Sequence, residues 1–227
     1  MGQLDEVKNK IEVDLKSLPP DVRAWVEFEI MSSNAHDIRV NILKKRQVLM
    51  DNVRVSGFFC SHTDRLFVAG LSPDWVPIMV HETCHRDQYT EQIKIWNDTI
   101  TIRGEEHDPL TLMHEWLDHK RELGERKLRE VLRGAMALEL DCERRAAKKI
   151  DQFYLPINLK EYIQKANAYV YFYLAMQHVR KWYQPGRAPF SLPEVWTKMP
   201  TDFDNDYTRL PKKVKDLILH HSYNIRV

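Results

Sequence analysis

The stretch that constrains this chain most is VPIMVHETCHRDQ at residues 76–88, which contains the pattern HExxH. If it is helical, His81 and His85 lie on one face, because side chains four residues apart are neighbours on a helix. Each ring can then present a nitrogen to the same zinc ion. Glu82 lies one position further round and can act as general base toward a water at that ion. The pattern therefore predicts a helix with two zinc ligands and a base beside them.

The residues that flank this pattern favour a buried helix that follows a small sheet. Asp74 can cap the first turn of the helix, and Pro77 falls where proline is tolerated. Before it, residues 38–70 alternate between apolar and polar side chains and predict three or four short strands with a hairpin. An edge strand of that sheet could hold an extended peptide as one more strand. The alternative is a sheet that only covers the helices.

A second helix, predicted at residues 126–153, carries acidic residues inside an apolar stripe. The stripe repeats at ~100° per residue, and its apolar members are Leu128, Leu132, Ala135, Cys142, Ala146 and Ile150. Glu139 lies at the centre of the stripe, and Glu143 lies within it one turn later. A buried carboxylate is costly unless it is paired or bound to a metal. One of these two glutamates is therefore a candidate third ligand beside His81 and His85.

The segment ELDCERRA, residues 139–146, resembles the ExxxD segment of gluzincin metallopeptidases. In that family the first acid binds zinc and the acid four positions later orients a ligand histidine. The resemblance implies that Glu139 is a zinc ligand and that Glu143 orients a ligand histidine. Glutamate replaces the usual aspartate at position 143, and its longer side chain could reach the metal instead. ELDCER, with WYQPGRAPFSLPEVW at residues 182–196, is also similar to small zincin-like proteins of tailed phages.

Taken together, these patterns predict one α+β domain of zincin-like architecture. A small, mostly antiparallel sheet would pack on the HExxH helix and on the second, glutamate-bearing helix, with extra helices toward the C-terminus. The predicted parts are N-terminal helices at 1–36, a sheet and metal core at 37–153, and a C-terminal helix with a docked tail at 154–227. Further predicted elements are a helix at 4–18, a helix from Asp21 to about residue 31, a hairpin at 93–103, and helices at 110–123, 158–183 and 212–221.

The composition limits which cellular compartment and which kinds of partner are expected. A net charge of +1 argues against a generally basic nucleic-acid binder, and no apolar run approaches the ~20 residues of a membrane span. Three cysteines without framework spacing favour a reducing compartment, so the cytoplasm is expected, that of a host if a phage encodes the chain. One helix carries many basic residues, for which interspersed acids favour a solvated face over a nucleic-acid site: Arg126, Lys127, Arg129, Arg133, Arg144, Arg145, Lys148 and Lys149.

The function predicted from these residues is zinc-dependent hydrolysis of peptide bonds in a protein or peptide substrate, with Glu82 as general base. Alternatives are a zinc-binding module without catalysis and a protease that acts at nucleic acid. Other polar or aromatic candidates have simpler interpretations as core, turn or surface residues: Cys84, Cys142, Tyr169, Tyr173, His178, His62, His114, Glu115 and His119. In the proline-rich tail four aromatics are predicted to dock on the domain, as a wrap rather than a gate: Phe190, Trp196, Phe203 and Tyr207.

Overall fold

The structure, a computed structural model, describes residues 9–50, 53–100 and 108–227. Contacts divide the chain into two compact units. The first comprises Met1–Glu91 and Lys148–Ile157, and the second comprises Gln92–Ala147 and Asn158–Val227. The α+β class is as predicted, with a small mixed sheet. Among the described helices, none is long and apolar enough to cross a membrane.

The first unit holds the strands and the HExxH helix. Its strands are β1 (Lys10–Ile11), β2 (Arg39–Leu43), β3 (Val48–Met50), β4 (Val53–Val55), β5 (Gly57–Cys60) and β6 (Arg65–Ala69). Its helices are α1 (Pro20–Asn34) and α2 (Trp75–Thr90). The helix α5 (Glu125–Gln152) is divided between the two units, and its residues from Lys148 onward belong to the first.

The main sheet has the order β1-β2-β6-β5, with β3 and β4 forming a separate antiparallel hairpin. β1, β2 and β6 run parallel, and only β5 is antiparallel to its neighbour. The prediction of a mostly antiparallel sheet was therefore wrong. Helix α1 carries the chain from β1 to β2, and a crossover of that length makes a parallel pair possible.

Two predictions for the N-terminal part of this unit were wrong in detail. Residues 10 and 11 were expected in a helix but form β1, because pairing with β2 outweighs the local helical spacing. The rest of that predicted helix up to residue 8 lies outside the described residues. Helix α1 begins at Pro20, so Asp21 lies in the first turn rather than at the cap. It continues to Asn34, and within it the Ser33 hydroxyl donates to the Glu29 carbonyl at 2.8 Å.

The second unit is helical. It holds α3 (Lys94–Ile100), α4 (Pro109–Leu117), residues 125–147 of α5, α6 (Leu159–Met176), α7 (Pro193–Trp196) and α8 (Lys212–Tyr223). The predicted hairpin at 93–103 was wrong over its described part, which is α3. Trp96 and Thr99, three residues apart, are its buried residues, which is helical spacing. Helix α6 has the predicted Asn158 cap, whose Oδ1 accepts from the Glu161 amide at 3.2 Å, but it ends seven residues before the predicted position 183.

The tail forms part of the core of the second unit. Val195, Met199 and Tyr207 are buried in the same cluster as residues of α5 and α6. The Gln164 side chain on α6 donates to the Met199 carbonyl at 2.8 Å, and Asn167 donates to the Pro200 carbonyl at 2.9 Å. The predicted docking of the tail on the domain is thus confirmed, and α6 is the helix that these hydrogen bonds join to it. Of its four aromatics Tyr207 is fully buried, whereas Phe190, Trp196 and Phe203 are partly exposed.

Candidate metal centre

Helix α2 brings the two histidines of the HExxH pattern together. His81 Nε2 and His85 Nε2 lie 3.1 Å apart, and the two rings meet nearly edge to face. Two imidazole nitrogens bound to one tetrahedral zinc at ~2.0–2.1 Å would lie about 3.3 Å apart. The histidine pair therefore fits two ligands of a single ion without a change in the helix.

The orientation of His85 is fixed from the next turn of the helix. Its Nδ1 lies 2.8 Å from Oε1 of Gln88, which is fully buried. An amide oxygen only accepts, so Nδ1 carries the hydrogen and Nε2 keeps its lone pair toward His81. A ligand histidine that donates its second nitrogen to a neighbouring acceptor is the usual arrangement at metal sites. Gln88 was not among the residues predicted from sequence; the feature that could have indicated it is its position three residues after His85.

The general-base candidate, Glu82, lies where α2 meets the sheet. Its side chain is 8% exposed, as expected of a carboxylate in a water-poor site. A Cβ added to Gly57 at the start of β5 would lie 3.3 Å from Glu82 Cγ and 2.6 Å from Ile78 Cγ2. Glycine thus lets the β5 backbone approach the turn that carries Glu82. β5 is an edge of the sheet among the described strands, as the peptide-binding hypothesis requires.

A buried group of four charges anchors α2 inside the first unit. The Arg86 guanidinium donates to Glu29 Oε2 at 2.7 Å and to Asp87 Oδ1 at 2.5 Å. Lys149, predicted on a solvated face, instead donates to Glu29 Oε1 at 3.0 Å and lies 2.7 Å from Asp87 Oδ2. The side chains of Glu29 and Arg86 are 1% and 3% exposed, so each charge depends on the others for compensation.

The pKa directions agree with this arrangement. Burial alone would lower the pKa of Arg86, but the charges of Asp87 and Glu29 and their hydrogen bonds raise it above its ordinary value. Burial likewise opposes the charge of Lys149, while its electrostatic interactions with Cys84, Glu29 and Asp87 raise its pKa. Both cations therefore remain protonated at neutral pH. They hold the helix that carries the histidines against α1 and against the end of α5.

The two glutamates of α5 are held by tyrosines of α6 within the second unit. The Tyr162 hydroxyl donates to Glu143 Oε2 at 2.6 Å, and the Tyr173 hydroxyl donates to Glu139 Oε1 at 3.2 Å. Tyr169 and Tyr173 also share a hydrogen bond of 3.0 Å. Burial, followed by the charge of Glu139, raises the pKa of both Tyr169 and Tyr173, so both phenols stay protonated.

The predicted site residues thus fall into two sets. His81, Glu82 and His85 are brought together on α2 in the first unit, and Glu139 and Glu143 lie one turn apart on α5 in the second unit. Several candidates for which core, turn or surface roles were predicted have such positions. Cys84 is fully buried; His62 is exposed in a turn, and His114 and His119 are exposed.

Comparison with protein-family models, with curated proteins and with solved structures found no match to this chain. The chemistry of the site is therefore inferred from its own residues. The two imidazole nitrogens of His81 and His85 are a ligand type that zinc accepts.

Proposed function

We propose that this protein is a zinc-dependent metallopeptidase of zincin-like fold that hydrolyses peptide bonds in a protein or peptide substrate. The observation that carries the proposal is the convergence of His81 Nε2 and His85 Nε2 at 3.1 Å on a helix that also bears the buried Glu82. A zinc site without catalysis does not require Glu82, whereas a hydrolase needs a base at that position.

Each residue of the site would then have a separate role in peptide hydrolysis. The histidines would hold the zinc ion, which would lower the pKa of a bound water and polarise the scissile carbonyl. Glu82 accepts the proton of that water and passes it to the departing amine. Gln88 keeps His85 in the tautomer that offers Nε2. Strand β5, at the sheet edge beside α2, is the proposed place for an extended substrate.

Glu139 is the proposed third ligand, with Glu143 as the alternative. The hydrogen bond from Tyr162 to Glu143 is 2.6 Å, against 3.2 Å from Tyr173 to Glu139. A carboxylate held by the shorter bond is more firmly committed to its neighbour. This difference supports Glu143 as an orienting residue and Glu139 as the ligand. Glu139, Cys142 and Glu143 share one helical face, so all three belong in a substitution series.

The proposal is tested by metal content and proteolysis together. Wild-type protein should bind one zinc, and His81→Ala and Glu139→Ala should lose it. Glu82→Gln should keep zinc but lose cleavage of a protein mixture, while His62→Ala, at an exposed turn, should resemble wild type. Wild type without stoichiometric zinc would refute the metal site. If both proteins bind zinc and cleave equally, or if neither cleaves, the zinc site would stand but the proposed peptidase activity would be rejected.

The compartment proposed is the cytoplasm. Cys60, Cys84 and Cys142 are all free thiols. Free thiols, one of them partly exposed, support a reducing environment.

A further inference from the structure

The second unit contains a cavity of about 360 Å³ that lies among α5, α6, α8 and the loop before α8. Leu132 and Leu174 are buried residues of its lining. Arg133, Arg209 and Lys215 line it from three different segments of the chain. The cavity thus combines an apolar surface with cations that the fold brings together from distant positions. Its size falls within the range of ligand pockets, roughly 300–1,000 Å³.

These cations lack close counter-charges within the described part of the chain. No described acidic group lies within ion-pair distance of Arg133, Arg209 or Lys215, whereas Arg129, also in the lining, pairs with Glu125. Asp206 interacts electrostatically with two of these cations. Its pKa is lowered first by hydrogen bonds from Thr208 and to a smaller extent by the charges of Arg209 and Arg133. The described residues that line the cavity include no acidic side chain, so the cavity is positively charged.

His178, which also lines the cavity, is affected by the positive charge of Lys215. Burial, followed by the charge of Lys215, lowers its pKa below the ordinary value of 6.5. The ring lines the cavity beside Gln177, so the cavity also offers neutral hydrogen-bonding groups at neutral pH.

We propose that this cavity binds a small polyphosphate anion with an apolar or aromatic body, the class that includes nucleoside diphosphates. Guanidinium groups bind phosphate oxygens in pairs of hydrogen bonds, and lysine adds a point charge. The leucines provide a surface for the uncharged body of the ligand. A free ligand suits the site better than a strand of nucleic acid, because the cations surround a cavity rather than follow a groove. This site is independent of the proposed metal centre.

Titration calorimetry with pyrophosphate, ADP and a twelve-nucleotide oligothymidylate tests the proposal. Pyrophosphate and ADP should bind wild type, with ADP tighter. Arg133→Gln and Lys215→Gln should each weaken binding at least tenfold. Arg126→Gln removes the same charge from an exposed position of the same helix outside the cavity and should change binding less than twofold. Equal losses in all three variants would reduce the effect to general charge and overturn the proposal.

Two further results also decide the question in the wild-type protein. Bound pyrophosphate should raise the pKa of His178, followed by nuclear magnetic resonance of the ring, because an added anion favours the imidazolium form. An unchanged His178 titration at saturating pyrophosphate would overturn the assignment of the cavity. Tighter binding of the oligonucleotide than of ADP would replace the small ligand by nucleic acid. Zinc content should stay the same in every variant, which separates this test from that of the metal centre.

Discussion

Gln88 determines which nitrogen His85 can offer to a metal. Its Oε1 lies 2.8 Å from His85 Nδ1, and its side chain is fully buried, so solvent cannot substitute for this acceptor. Without it the imidazole is free to exchange tautomers and to rotate. A neighbouring acceptor of this kind therefore contributes to metal affinity although it does not touch the ion.

Replacing Gln88 by leucine should weaken zinc binding by roughly 10–100-fold, the usual cost of losing such an acceptor. Gln88→Glu keeps an acceptor and should bind zinc at least as tightly as wild type. Tyr89→Phe is the control, since it removes a hydrogen bond to Asp64 at the neighbouring position. Competition with a chromophoric chelator gives the affinities, and circular dichroism checks the fold. Unchanged affinity in Gln88→Leu would show that Gln88 does not orient the ligand.

Single residues differ in how far sequence predicts their role. The spacing of His81 and His85 is a local property of one helix, so their convergence followed from sequence. Lys149 donates to Glu29, which is 120 positions away. No periodicity along the chain carries that information, and Lys149 was therefore assigned to solvent. Gln88 lay within the motif stretch but carries no charge, and its role depends on a ring orientation that only the fold defines.

Helix α2 is held in the first unit by the charged cluster of Glu29, Arg86, Asp87 and Lys149 rather than by an N-terminal cap. Asp74 stands at the cap position, but its side chain makes no cap hydrogen bond. Arg86 instead joins α2 to the carbonyl of Glu29, its carboxylate and the Ser33 hydroxyl. Arg86 and Asp87 directly follow His85 in α2, so we expect a substitution in the cluster to displace the proposed metal ligands.

We expect Arg86→Met to destabilise the protein by about 3–5 kcal/mol, because it leaves part of a buried negative charge uncompensated. The double variant Glu29→Gln/Arg86→Met should recover much of that loss. Lys10→Met, which removes the exposed pair with Glu12, should change little. Urea unfolding measures each free energy. A loss below about 1 kcal/mol for Arg86→Met would mean that Lys149 alone compensates both acids.

Secondary structure could be predicted from sequence where apolar residues recur over several turns on one face of a helix. The stripe of α5 extends over several turns, and all six of its predicted apolar residues are buried. The short elements were the ones missed. β1 has two residues and is defined by its pairing with β2, and α3 has seven residues, whose alternation also fits a strand. For elements this short, tertiary contacts rather than local periodicity decide the conformation.

At the scale of the whole molecule, the chain has no separate tail. Residues after position 183 supply part of the core of the second unit: Val195, Met199, Tyr207, Ile218, Leu219 and Tyr223. They also satisfy polar groups of α6. Buried Asn167 donates to the carbonyls of Pro200 and Asp202 at 2.9 and 3.0 Å and accepts from the Tyr207 hydroxyl. Their removal would expose apolar surface and leave buried polar atoms without partners.

Truncation after Tyr183 should therefore unfold the second unit or precipitate the protein. The reason is the joint loss of apolar burial and of the hydrogen bonds to Asn167, since an unsatisfied buried polar group costs roughly 1–3 kcal/mol. Truncation after Tyr223 is the control: it removes the left-handed Asn224 and three further residues but leaves α8 complete. The two truncated proteins are compared by circular dichroism, which detects cooperative unfolding, and by limited proteolysis. If the tail were a gate, the chain ending at Tyr183 would stay folded, keep zinc and cleave peptides faster. A folded truncated protein of unchanged activity would contradict both the wrap and the gate.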